Sequence, residues 1–157
     1  MLLLDVNGAY TDAVTAVFSS TIAAKAWLAT GAVTLVVVQV LTASRMWGRF
    51  PRLIRASVPS VARVHRWSGR LAVLCTLPVF FHCVFILGFQ APSARVAVHS
   101  LAGTFVYGVL AAKVLMIREK GYPHWALPVA GGVLVGLLGT LWLSSSLWYF
   151  TEVRFGF

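Results

Sequence analysis

The chain has 157 residues, of which 59% are hydrophobic and only 11% are charged. Since soluble domains carry about 25% charged residues, this composition excludes a water-soluble globule and indicates an integral membrane protein with one domain. Lys and Arg total 13 against 4 Asp and Glu, which gives a net charge of +9. In a membrane protein this excess indicates cytoplasmic loops and contact with anionic lipid headgroups. No nucleic-acid-binding motif accompanies it, so we expect no nucleic-acid partner.

Residues 1–24 precede the first long apolar run and mix acidic, polar and small residues. The opening MLLLDVNGAY has no basic region and a run of only three leucines, so it does not match a cleavable signal peptide. We expect a short irregular or interfacial segment that becomes helical from Thr11.

Apolar runs of about 20 residues predict four membrane-spanning helices, because a helix needs roughly that length to cross the hydrocarbon core. The expected spans are residues 25–44, 67–89, 96–117 and 125–150. The fold class is therefore all-α, an integral membrane four-helix bundle. Between the first two spans, residues 45–66 are basic, and we expect a cytoplasmic segment that lies on headgroups and is interrupted by Pro51 and Pro59. Pro78 lies inside the second span and predicts a kink or a freed carbonyl there.

The distribution of basic residues sets the orientation of the bundle. Ten Lys and Arg residues fall in or beside the loops after the first and third spans, whereas the opposite side holds three. We therefore expect both of these loops in the cytoplasm and both termini on the non-cytoplasmic side.

The four histidines sort into two couples by expected depth. His82 and His99 lie in the outer half, whereas His65 and His124 lie at inner helix ends. An ionisable ring in an apolar run is costly, so His82 needs a partner or a ligand. Low-spin b-type haem takes two axial imidazoles from facing helices. His82 and His99 lie about 10 Å and 4 Å below their helix ends, so we expect one haem b on this couple. A second haem on His65 and His124 is left open.

Four further residues complete the expected site. Gly69 and Gly103 each follow a histidine by four positions, so a residue without a side chain lies one helical turn from each histidine on the same face. This leaves room for a flat ring. Arg95, on the outer side, is placed to pair with a haem propionate. Lys113 lies on the same stripe as His99 near the inner end, where it either snorkels to the headgroups or contacts a propionate or a quinone headgroup.

Alternatives exist for these residues. His82 can instead hydrogen-bond to a helix carbonyl, Thr76 or Ser100, and a single histidine can ligate the magnesium of chlorophyll. His124, in a turn, can contact headgroups or a backbone carbonyl. All four acidic residues lie in tails or loops, whereas a proton-coupled transporter usually places an acid inside a span, which counts against transport.

Three motifs lie in the central part of the chain: His-Arg-Trp-x-Gly-Arg from His65, Pro-x-x-x-His ending at His82, and His-x-x-x-Gly from His99, whose helix continues to Lys113. With them, residues 65–150 resemble small four-helix membrane cytochromes b, including the ferric-reductase and cytochrome b-561-like groups, and also an uncharacterised bacterial four-span family. The resemblance is architectural and implies bound haem b. His65 and His82 are 17 positions apart, longer than the same-helix ligand spacing of two-haem members.

The sequence therefore predicts one-electron transfer in the cell (inner) membrane. We expect no flavin or nucleotide domain within 157 residues, so a redox protein partner or a larger membrane complex would complete the pathway, with a quinone as a further candidate cofactor. The alternative is a non-redox accessory subunit of a respiratory or photosynthetic complex, indicated by the glycine-rich and serine-rich fourth span.

Overall fold

The computed structural model describes residues 2–49, 56–119 and 121–153, and regular structure in these residues is entirely helical. Five α-helices follow one another: α1 (Leu2–Thr15), α2 (Thr21–Met46), α3 (Val58–Phe81), α4 (Ala94–Arg118) and α5 (Ala126–Trp142). Two of them continue as π-helix, α3 through His82–Leu87 and α5 through Leu143–Leu147 and Tyr149–Val153.

Four helices are long and apolar enough to cross a bilayer. These spans are Thr21–Met46, Val58–Leu87, Ala94–Arg118 and Ala126–Glu152. Their outward faces carry large apolar side chains, such as Phe85 at 63% and Phe105 at 60% exposed. Apolar surface of this kind is stable against lipid and costly against water. The chain is a multi-pass membrane protein, and the predicted all-α four-helix bundle is confirmed.

Two helices begin earlier than expected. Helix α3 begins at Val58, so residues 58–66 are helix and not loop, and the expected start of the second span, at about residue 67, lies inside this helix. Pro59 does not interrupt the chain there, because it occupies the first turn of α3, where a missing N–H costs no intrahelical bond. The N-terminal segment is helical from Leu2 rather than from Thr11. The predicted interruption at Pro51 lies outside the described residues.

The spans assemble as two helix pairs. Helix α2 packs along α3, and α4 packs along α5, while the pairs meet mainly where α2 contacts α5. One hydrogen bond at that contact runs from Trp142 Nε1 to Thr30 Oγ1, at 2.9 Å. Between α3 and α4, Tyr107 donates to Thr76 Oγ1 at 2.9 Å and its ring lies 4.4 Å from that of Phe80, centroid to centroid. The sparse packing between α3 and α4 leaves room for a cavity.

The second span changes its helical form after Pro78. The Pro78 carbonyl accepts the backbone N–H of His82, where the wider π-helix begins. π-Helical turns are rare and occur frequently at functional sites. The irregularity expected at Pro78 therefore takes the form of a π-helix that begins at the buried histidine.

Candidate functional site

A cavity of about 670 Å³ lies between the four spanning helices, within the size range of ligand sites in proteins. Its lining is mostly apolar. Lys25 and Arg95 lie at the end named outer, after the predicted orientation, and Gln39 and Lys113 lie at the opposite end, named inner. Arg95 and Lys113 are 18 residues apart on α4, which corresponds to about 27 Å. The cavity therefore extends through most of the hydrocarbon core.

His99 lines this cavity from α4 and contacts a serine hydroxyl. Its Nδ1 lies 2.9 Å from Ser144 Oγ, and that hydroxyl also lies 2.6 Å from the carbonyl of Thr140. If Ser144 donates to this carbonyl, it accepts from Nδ1–H, and the lone pair of His99 is then on Nε2. A histidine that ligates a metal almost always has its other ring nitrogen held in this way.

His65 shows the same arrangement at the inner end of α3. Thr42 Oγ1 lies 2.8 Å from His65 Nδ1 and donates to the carbonyl of Val38 at 2.7 Å. With that donation, Thr42 accepts from His65 Nδ1–H, and the lone pair of His65 is then on Nε2. His65 itself does not line the large cavity, since Gln39 and Gly69 stand at that end.

His82 is 5% exposed, and its Nδ1 is buried with no hydrogen-bond partner among the described residues. The ring lines a second cavity of about 330 Å³. The two cavities share four lining residues at the outer end: Lys25, Leu87, Arg95 and Ser145. A buried polar atom without a partner requires an explanation, and a missing ligand is one.

Tyr10 of α1 packs against the same part of α3. Its hydroxyl donates to the Pro78 carbonyl at 3.1 Å, and its ring centroid lies 5.0 Å from that of Phe81 and 5.9 Å from that of His82. Burial raises the pKa of the Tyr10 phenol, with a smaller contribution from Cys83. The phenol is therefore protonated at neutral pH and keeps donating its hydrogen bond.

Arg95 is held in place at the outer end of the cavity. Its guanidinium donates to the Ser144 carbonyl and lies 4.5 Å from the centroid of the Trp148 ring. Arg95 thus stands beside His99 on α4 and also borders the cavity of His82. A cation held by two contacts therefore borders both cavities.

The expected site residues are only partly brought together. Those that line the large cavity are Gly69, Arg95, His99, Gly103 and Lys113. His82 lines the adjoining cavity, and His124 is exposed in the turn before α5. The space beside Gly69 is taken by Gln39, whose amide atoms would lie 3.3 Å from a Cβ at that position. A Cβ at Gly103 would meet Leu141 at 3.8 Å, an ordinary contact.

One protein family, described as "Family of unknown function (DUF6529)", matches residues 5–157. The chain belongs to this family. No curated protein and no solved structure matches it. The family description carries no cofactor or activity, so the resemblance to membrane cytochromes b stays a prediction.

In this DUF6529 protein, several polar residues of the site were missed by sequence reasoning. Thr42, Ser144 and Tyr10 each contact a histidine or its helix. The available signal was a hydroxyl inside or beside an apolar span, where it must find a partner. That signal identifies the residue that needs a partner but not the partner itself.

Proposed function

We propose that this protein is a membrane-embedded haem b protein that carries out one-electron transfer, in which His82 and His99 would hold the iron. The observation that carries the proposal is the state of these two rings at the outer end of adjoining cavities. Nδ1 of His82 is buried without a hydrogen-bond partner among the described residues. Nδ1 of His99 lies 2.9 Å from Ser144 Oγ, a contact of the kind that orients the ring of a metal-ligating histidine.

The surroundings of the two rings also fit haem. The walls of the large cavity are apolar, and Gly103 leaves the wall beside His99 without a side chain. Lys25 and Arg95 border both cavities and supply cations for the propionates. When bound, haem b supplies one-electron chemistry, with a potential tuned by its ligands and burial. The residues bind it, orient it and exclude water.

The proposed location is the cell (inner) membrane, in contact with anionic headgroups on its basic side. A redox protein partner or a larger complex would pass electrons to or from the bound haem, because most of the described residues belong to the four helices that span the bilayer and line the cavities. The orientation with both termini outside continues to rest on the distribution of basic residues.

An optical spectrum of the purified protein tests the proposal. We expect a Soret band and an α-band that sharpens on reduction with dithionite. His82→Ala and His99→Ala should each abolish the spectrum, whereas His65→Ala should leave at least half of it. His124→Ala is the matched control, since His124 is exposed. A colourless protein, or a full spectrum in either His82→Ala or His99→Ala, would contradict the proposal.

A non-redox accessory subunit is the second candidate, and one observation favours it. A Cβ at Gly132, Gly136 or Gly139 of α5 would meet nothing within 4 Å, so this glycine face is open for another helix to approach closely. Such a subunit would be colourless when purified alone, which the same spectrum decides.

A further inference from the structure

The inner end of the large cavity contains a cation without a counter-ion. Lys113 lies five residues before the end of α4, about 8 Å inside the helix end. Its Nζ lies against α5, 3.9 Å from the position of a Cβ at Gly131. Among the described residues no hydrogen bond or ion pair joins Lys113 to another side chain, and no acidic residue lines the cavity. An ammonium in such surroundings is costly unless a polar ligand meets it.

Gln39 of α2 supplies an acceptor at the same end. Its Nε2 donates to the His65 carbonyl and, at 2.7 Å, to Ser68 Oγ. Since a carbonyl oxygen only accepts, this contact fixes which end of the amide is nitrogen. Oε1 has no hydrogen bond among the described residues, and Gln39 itself lines the cavity beside Gly69.

The donor and the acceptor lie at similar depth. Gln39 is seven residues before the end of α2 and Lys113 is five before the end of α4, so their depths differ by about 3 Å. The walls next to them are apolar, formed by residues such as Val36, Leu110 and Leu134. A ligand for this place needs a flat or slender apolar body and a group that both accepts and donates.

We propose that the inner end of the cavity binds the headgroup of a membrane hydroquinone. One ring hydroxyl accepts from Lys113 Nζ and donates to Gln39 Oε1, and the ring lies between the apolar walls. A fatty-acid carboxylate or a lipid phosphate accepts only, so it would leave Gln39 Oε1 facing another acceptor. Use of the bound hydroquinone as an electron donor rests on the proposed function, whereas the binding itself does not.

Isothermal titration of the purified protein in detergent compares three ligands with alkyl tails of similar length: decyl-benzoquinol kept reduced, decyl-benzoquinone, and decanoate. We expect the quinol to bind at least about tenfold more tightly than decanoate, because it satisfies two groups rather than one. The quinone, which lacks the donor, should lie between them. Decanoate binding as tightly as the quinol would overturn the proposal.

Variants place the ligand at the inner end. Lys113→Met should weaken quinol binding about tenfold, and Gln39→Leu should remove the preference for quinol over quinone. Arg118→Met is the matched control, because it removes an exposed cation from the same helix outside the cavity. Quinol binding in Lys113→Met equal to the wild type would overturn the proposal. Gln39 also joins α2 to α3, so the Gln39→Leu variant is used only if its thermal unfolding matches that of the wild type. The comparison of the three ligands on the wild-type protein tests the proposal without this variant.

Optical spectra of the same samples separate this inference from the proposed function. A colourless protein that prefers the quinol supports the hydroquinone site and contradicts the haem proposal. A haem protein that binds decanoate as well as the quinol supports the haem proposal and contradicts the hydroquinone site.

Discussion

Ser144→Ala tests whether the tautomer of His99 matters for cofactor binding. We expect Ser144 to accept from His99 Nδ1–H, because its own hydroxyl lies 2.6 Å from the Thr140 carbonyl and can donate to it. Alanine removes that acceptor, so Nδ1–H is no longer favoured and Nε2 carries its lone pair in a smaller fraction of molecules. The apparent haem affinity falls in proportion to that fraction.

The size of the effect follows from the strength of one hydrogen bond between membrane helices. Such bonds average about 0.6 kcal/mol and reach about 1.7 kcal/mol. At about 1.4 kcal/mol for each factor of ten, the loss corresponds to a weakening of haem binding by about 3-fold to about 18-fold. His99→Ala removes the ligand itself and should abolish binding.

Haem titration of the apoprotein, followed at the Soret band, measures this effect. Ser144→Thr keeps a hydroxyl and should restore most of the affinity. Ser146→Ala is the neighbouring control, because Ser146 lines neither cavity. If Ser144→Ala binds haem within twofold of the wild type while His99→Ala does not bind, the tautomer has no role and the reasoning is refuted.

Three further predictions concern packing and access. Thr30→Val and Trp142→Phe, combined in a double-mutant cycle of unfolding, should show a coupling of about 0.6 kcal/mol, since their hydrogen bond joins α2 to α5; zero coupling would contradict that contact. Tyr10→Phe keeps the ring but loses the bond to α3, so we expect destabilisation by about 1 kcal/mol and faster proteolysis within α1, and unchanged cleavage would argue against the contact. Cys83 lines the large cavity and Cys75 does not, so haem loading should slow N-ethylmaleimide alkylation of Cys83 alone, as read by mass spectrometry; an alkylation rate of Cys83 that is unchanged by haem would contradict haem in this cavity.

The four spans could be predicted from the sequence because apolar length alone decides whether a helix crosses the bilayer. The start of α3 could not. Arg63, Arg66 and Pro59 are typical of a basic loop, yet proline fits the first turn of a helix and arginine stems can extend along it towards the headgroups. The same composition therefore suits a loop and the first turns of a helix.

The site was harder to predict than the spans for a related physical reason. In a soluble protein, the polar face of a helix indicates that the opposite face is buried. Lipid is as apolar as the protein core, so this signal is weak in a membrane helix. Which residues face His65, His82 and His99 depends on helix rotation, which the sequence leaves open. Gly69 illustrates the result: its small size was assigned to a cofactor ring, and in the structure it accommodates Gln39.

The arrangement of the spans as two pairs has a consequence for biogenesis. Each antiparallel pair satisfies its backbone hydrogen bonds within its own helices, so each hairpin can be stable in lipid before it meets the other. The large cavity has walls from both hairpins and comes into being only when α2 docks on α5. Loading of any prosthetic group is therefore a late event in assembly, and it can proceed sideways from the bilayer while the hairpins are still apart.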